Sequence, residues 1–150
     1  MLLGVGASAL PRNVMAGDSA VIVVFAYSSL LRGERDHDLL HRSTLLGKTT
    51  TQPGYRLVDL GPYGAMITGG DQVVVGELWE VDRETLRAID VRKEVPVLFE
   101  RSRIVTHDGV EAEAYTMPWD RVVGRKRLAN GDWKQRFAPK PLQRPRPKWR

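Results

Sequence analysis

Cysteine is missing from the chain, which excludes disulfides, thiolate metal sites and a cysteine nucleophile together. Histidine is nearly missing: only His37, His41 and His107 occur. The first two stand four apart, a spacing that aligns side chains on one helical face. No third ligand accompanies them, and closed metal centres need three or four. They read as polar residues on the outside of an amphipathic helix, and no metal is expected. Also missing is any apolar run near the ~20 residues that a membrane-spanning helix requires. Met1 to Ala9 is mildly apolar but has no basic segment before it and no convincing small-residue cleavage site after it. The expected location is cytoplasmic. Acidic residues are absent from one end. Lys134 to Arg150 holds seven basic residues and no acidic one, so subtracting them from the formal net charge of +5 leaves −2 for residues 1–133. A nucleic-acid-binding domain would instead carry its basic face on the fold. Nucleic acid is therefore an unlikely partner, except through contacts of the basic tail.

The 150 residues, 42% hydrophobic and 27% charged, suit one soluble domain. A domain of this size buries about two thirds of its unfolded surface. Three stretches follow from composition. Residues 1–20 are an N-terminal extension; Met15 lies close to the first strong strand, so residues 1–14 read as a tail or an upstream start. Residues 21–133 form the domain. Residues 134–150 form a basic tail in which Pro139, Pro141, Pro145 and Pro147 oppose helix and central strand. Its expected state is a solvated segment draped over the domain, with acidic partners, lipid or nucleic acid as other possible contacts.

Val21 to Ala26 is a continuous β-branched and aromatic run, which suits a strand covered on both faces. Asp36 opens an expected helix carrying Leu39, Leu40 and Leu46. Leu45 to Thr51 and Tyr55 to Leu60 read as strands separated by Pro53-Gly54. Ala65 to Ile67 is a short apolar piece in a loop bracketed by glycines. Val73 to Val81 is a second strong strand, in which Gly76 marks a bulge or a close backbone approach. Asp82 is an N-cap for a helix running to about Asp90. Val97 to Val105 and Val110 to Met117 form a hairpin around Asp108-Gly109. Many short strands with two short helices favour an α+β domain built as a small mixed β-barrel.

Specific motifs go further. Val24-Phe25-Ala26-Tyr27-Ser28-Ser29-Leu30-Leu31-Arg32-Gly33-Glu34 resembles the opening of the γ-glutamylcyclotransferase-like (AIG2-like) family, in which a first strand ends in Tyr-Gly-Ser/Thr-Leu. Pro53 to Leu57, Val75 to Val81, Glu84 to Asp90, Pro96 to Arg101, Glu113 to Tyr115 and Gly131 to Trp133 are similar to later landmarks of that family, in the same order. The resemblance covers about Val21 to Trp133. It implies that fold, with no cofactor, and a reaction in which the α-amine of a γ-glutamyl amide attacks its own γ-carbonyl, giving 5-oxoproline and a free amine. An intramolecular attack already has high effective molarity. The protein's task is then to fold the substrate and move protons.

By the same resemblance, Tyr27, Ser28, Ser29 and Leu30 form the substrate-binding turn, its backbone N–H groups suited to a carboxylate or an oxyanion. Ser28 stands where the family has glycine. The family's catalytic carboxylate lies three residues after the aspartate of Leu-Asp-x-x-Glu, with a proline three further on. In Ile89-Asp90-Val91-Arg92-Lys93-Glu94-Val95-Pro96 that place holds Lys93, with Glu94 beside it. Two readings stay open. A one-residue shift makes Glu94 the proton shuttle, or the carboxylate is lost and Lys93 occupies the pocket. A lysine serves as a base only if burial lowers its pKa strongly; otherwise it holds an anion. The leading expectation is a γ-glutamylcyclotransferase-like enzyme using Glu94 on a small γ-glutamyl substrate. The alternative is a non-catalytic small-molecule binding protein of the same fold, with Lys93 in the carboxylate's place. Glu77, Glu80, Glu100, Glu111 and Glu113 read mainly as solvent-facing strand charges, and no Gly-x-Ser-x-Gly elbow accompanies the serines.

Overall fold

The computed structural model describes residues 21–137. The proposed extension 1–20 and the tail from 138 onward lie outside the described residues.

Eight strands and one α-helix make the fold. They are β1 (Ile22–Ala26), β2 (Thr44–Thr50), β3 (Tyr55–Asp59), β4 (Gly64–Thr68), β5 (Val75–Val81), α1 (Arg83–Arg92), β6 (Glu100–Val105), β7 (Glu111–Thr116) and β8 (Lys126–Arg127). Hydrogen bonding orders the sheet β2-β5-β1-β7-β4-β3-β8, with β6 also paired to β7. Most pairs are antiparallel, but β7 runs parallel to β1 at Val24↔Glu113 and to β4 at Met66↔Thr116. A single bridge between Thr51 and Thr106 returns the path β2-β5-β1-β7-β6 toward its start. The α+β class and barrel-like form follow the sequence, although the sheet is not continuously closed.

Strand β1 is buried on both faces, as its unbroken apolar run requires. Val24 and Ala26 join the core that includes Leu86, Ile89 and Phe99, whereas Val23, Phe25 and Tyr27 join the one that includes Met66, Leu78 and Trp133. Gly76 is a close approach. A Cβ there would lie 2.4 Å from the Phe25 ring and 2.5 Å from the Ala26 carbonyl oxygen. The bulge falls in β2 instead, between Leu45 and Gly47.

Two local expectations are corrected. The apolar piece 65–67 is the centre of β4, which pairs along its length with β3. The helix expected from Asp36 is only a 3₁₀ turn, His37–Leu40. The Asp36 carboxylate does not cap that turn, because it is bonded elsewhere, and Leu46 lies in β2. His37 and His41 each place Nδ1 against a backbone carbonyl, of Leu30 and Asp38 respectively.

A candidate active site at the end of the first strand

After Ala26 the chain leaves β1 through extended Tyr27 and enters a single 3₁₀ turn, Ser28–Leu30. Ser28 has φ +56°, a left-handed conformation that glycine adopts more readily. Its hydroxyl accepts the Gly64 N–H at 2.6 Å, which anchors the start of β4. Gly64 has no room for a larger residue, since a Cβ there would lie 2.8 Å from the Trp133 ring. The Tyr27 hydroxyl donates to the Tyr115 carbonyl at 2.5 Å and accepts the Met66 N–H at 2.9 Å. It thereby ties β7 to β4 beside their parallel contact. Burial pushes its pKa above the ordinary tyrosine value. Leu30 is a core residue, and its N–H is taken by the Tyr27 carbonyl at 3.2 Å.

Ser29 joins this turn to a buried set of charges. The Lys93 ammonium donates to Ser29 Oγ at 3.1 Å. The Ser29 side chain in turn hydrogen-bonds the Asp36 carboxylate. Asp36 is 2% exposed and also receives Arg92 at 2.7 Å and Arg35 Nε at 3.4 Å. Burial works against its charge, but the bonds from Ser29, Arg92 and Arg35 outweigh it and hold the pKa below the usual aspartate value. Lys93 is 5% exposed. Its Nζ lies 4.9 Å from the Phe99 ring centroid and 5.4 Å from that of half-buried Tyr63. Desolvation is the main cause that lowers its pKa to about 8; Asp36 opposes the shift, while Arg35 and Arg92 add to it.

Helical geometry explains why Lys93 points inward. Thr85, Leu86 and Ile89 form the buried face of α1. Lys93 is four residues beyond Ile89, on the same face, and its N–H still bonds the Ile89 carbonyl at 2.8 Å. Glu94 then takes φ +54° and ends the helix; its side chain is exposed. The chain makes no one-residue shift that would carry Glu94 to the turn. Of the residues singled out in the sequence, Ser29 and Lys93 meet directly. Tyr27, Ser28 and Leu30 build the turn, and Glu94 stands outside it. Glu77 is buried in another place, bonded to Arg32 and to the Trp79 indole.

The sequence reading overlooked Asp36, Tyr63 and Phe99 as parts of this cluster. Asp36 was read only as a helix start. A signal for the orientation of Lys93 was available in the helical spacing from Leu86 and Ile89.

The model of the family described as "Gamma-glutamyl cyclotransferase, AIG2-like" matches residues 24–135. The chain belongs to that family. A Vibrio cholerae protein named "Putative gamma-glutamylcyclotransferase" is 38% identical over 114 residues, covering 76% of this chain and 96% of the relative. A Niallia circulans protein, named as the γ-glutamyl cyclotransferase of γ-L-glutamyl-butirosin B, is 37% identical over 71 residues, covering 47% of this chain and 45% of its own length. The crystal structure of a mouse AIG2-like protein superposes with a TM-score of 0.60 at 25% identity, covering 65% of this chain and 77% of that one. Within the family's fold, the chain therefore carries serine at the turn's glycine position and a buried lysine next to the turn.

Proposed function

We propose that this chain is a γ-glutamyl cyclotransferase in which Lys93, rather than a carboxylate, moves the proton. One observation carries the reading. The Lys93 amine is buried against Ser29 with its pKa lowered to about 8, so a substantial neutral fraction exists near physiological pH. A neutral amine can take the proton that the donor's α-ammonium must lose before it attacks. The freed α-amine forms a bond to the γ-carbonyl carbon, and the leaving amine departs with the proton that Lys93 returns. The N–H groups of Ser28 and Ser29, which head the 3₁₀ turn, are the donors suited to the glutamyl carboxylate or the developing oxyanion. Leu30 contributes packing, because its N–H is occupied. The donor named for the Niallia circulans relative, a γ-L-glutamyl amine compound, is of the required class.

The test is 5-oxoproline release from a panel of γ-glutamyl amides, followed across pH. Release should rise through about pH 8. Lys93→Met should lower it by ~10²-fold or more, the usual cost of losing a general base, while Glu94→Gln should leave it within about twofold. No release from any donor at any pH would overturn the reading. A collapse in Glu94→Gln with Lys93→Met unaffected would return the role to Glu94.

The guanidiniums of Arg35 and Arg92 beside a single carboxylate favour a second reading, a non-catalytic site for an anionic ligand. Calorimetric binding of glutamate or 5-oxoproline, without turnover of any amide, would select it.

A further inference from the structure

The buried cluster is unbalanced in charge. Around Lys93 stand two guanidinium groups, of Arg35 and Arg92, and one carboxylate, of Asp36. A protonated Lys93 leaves an excess of two positive charges, and a neutral amine leaves one. Only an anion at this position brings the cluster to neutrality. Uncompensated charge is costly at low effective dielectric. A group that converts the amine into an anion is therefore favoured where an ammonium is not.

We propose that Lys93 is a carbon dioxide acceptor, its Nζ forming a carbamate beside Ser29 and between the Tyr63 and Phe99 rings. The ammonium first loses a proton. The nitrogen lone pair then attacks the carbon of CO₂, an N–C bond forms, and one C=O π pair moves onto oxygen. The nitrogen releases a second proton to water. The balance is R–NH₃⁺ + CO₂ → R–NH–COO⁻ + 2 H⁺, with no oxidant or cofactor. The charge at this position changes from +1 to −1.

Three observations converge. Desolvation keeps the amine nucleophilic by disfavouring its protonated form. The aromatic rings 4.9 and 5.4 Å from Nζ exclude the bulk water and acid that return a carbamate to amine and CO₂. Ser29 Oγ lies 3.1 Å from Nζ; a hydroxyl proton rotates to suit its partners, so it can turn toward a carbamate oxygen. CO₂ is small and uncharged, and half-buried Tyr63 with exposed Arg35 marks the outer side of the cluster. The inference deepens the reading of Lys93 as the proton-moving group, because its product is a carboxylate-like base at that position. The modification itself does not depend on cyclotransferase activity.

The experiment uses the full chain equilibrated with ¹³C-bicarbonate and observed by ¹³C NMR. The expected result is a protein-bound carbamate resonance that is lost in Lys93→Met. Trapping of the wild-type protein with a trialkyloxonium salt, followed by peptide mass spectrometry, should place an alkyl carbamate on Lys93; this measurement does not require the variant to fold. Release of 5-oxoproline, compared in CO₂-depleted and bicarbonate-containing buffer, should rise by about tenfold or more with bicarbonate. A resonance and trapped adduct without release would support the carbamate and remove the cyclotransferase reading. Release that is indifferent to bicarbonate, with neither resonance nor adduct, would overturn the carbamate and leave the amine as base. Absence of resonance, adduct and release together would overturn both.

Discussion

The end of α1 feeds two clusters of charge that follow opposite rules. Toward the first strand, Arg92 and Lys93 enter a buried cluster with Asp36 and Ser29. Toward the hairpin, Asp90 joins a largely solvated ladder. Arg101 bonds Asp90 and Glu113 at 2.9 Å each, and Arg103 bonds Glu113 at 3.1 Å. The residue types are the same, but the solvent differs. Water screens the ladder, so each of its pairs is worth less than about 1 kcal/mol. In the buried cluster every charge must be matched, and the unmatched one changes its protonation instead. Proton chemistry near neutral pH belongs to the second situation.

The sharpest way to break this contrast is Asp36→Asn. It leaves Arg92 buried without its counter-charge, and a loss of about 3–5 kcal/mol is expected in urea unfolding. Lys93 would also lose the one neighbour that raises its pKa, so the alkaline rise of any activity should move to lower pH. A loss as small as that of an exposed pair would mean that the cluster is hydrated.

Lys93→Met should do the reverse and stabilise the fold at pH 7. The folded-state pKa of Lys93, about 8, lies below its ordinary value of 10.5. The unfolded chain therefore binds more protons between those values, and stability must rise with pH across that window. Below pH 8 the native state carries the full cost of a protonated buried amine, which the variant removes; a gain of about 1–3 kcal/mol is expected. The gap between variant and wild type should close toward pH 10.5. A variant less stable than wild type at pH 7 would contradict the desolvation account.

Ser28→Ala tests the turn itself. It would leave the buried Gly64 N–H without its acceptor, at a cost of about 1–3 kcal/mol. Ser28→Gly loses the same bond but relieves a left-handed backbone by about 1 kcal/mol, so it should be the milder change. The smallest effect belongs to Arg103→Ala in the ladder, about 0.5 kcal/mol and less in high salt. An effect as large as that of Ser28→Ala would erase the distinction between the two clusters.

Much of the fold was legible because it depends on local pattern. The double-faced β1, the Asp82 cap that accepts the Thr85 N–H at 2.7 Å and the Asp108-Gly109 hairpin are each fixed by a few adjacent residues. Strand β4 was not, since its five residues gain strand character from pairing with β3 rather than from their own alternation.

The candidate site divides in the same way. The order of landmarks from Val24 to Trp133 was enough to point to the family, and Asp90 to Pro96 was enough to raise the alternatives of Lys93 and Glu94. By itself the sequence also determined that no thiol takes part and that the amine and the carboxylate are neighbours. Which of them faces Ser29 was decided only by tertiary structure. The buried face of α1 carries Lys93 inward with Ile89, while the left-handed turn at Glu94 sends the next side chain out. Spacing alone could not show that Asp36, dozens of residues earlier, arrives at the same place. A pKa depends on what surrounds the group in space, and no run of adjacent residues contains that information.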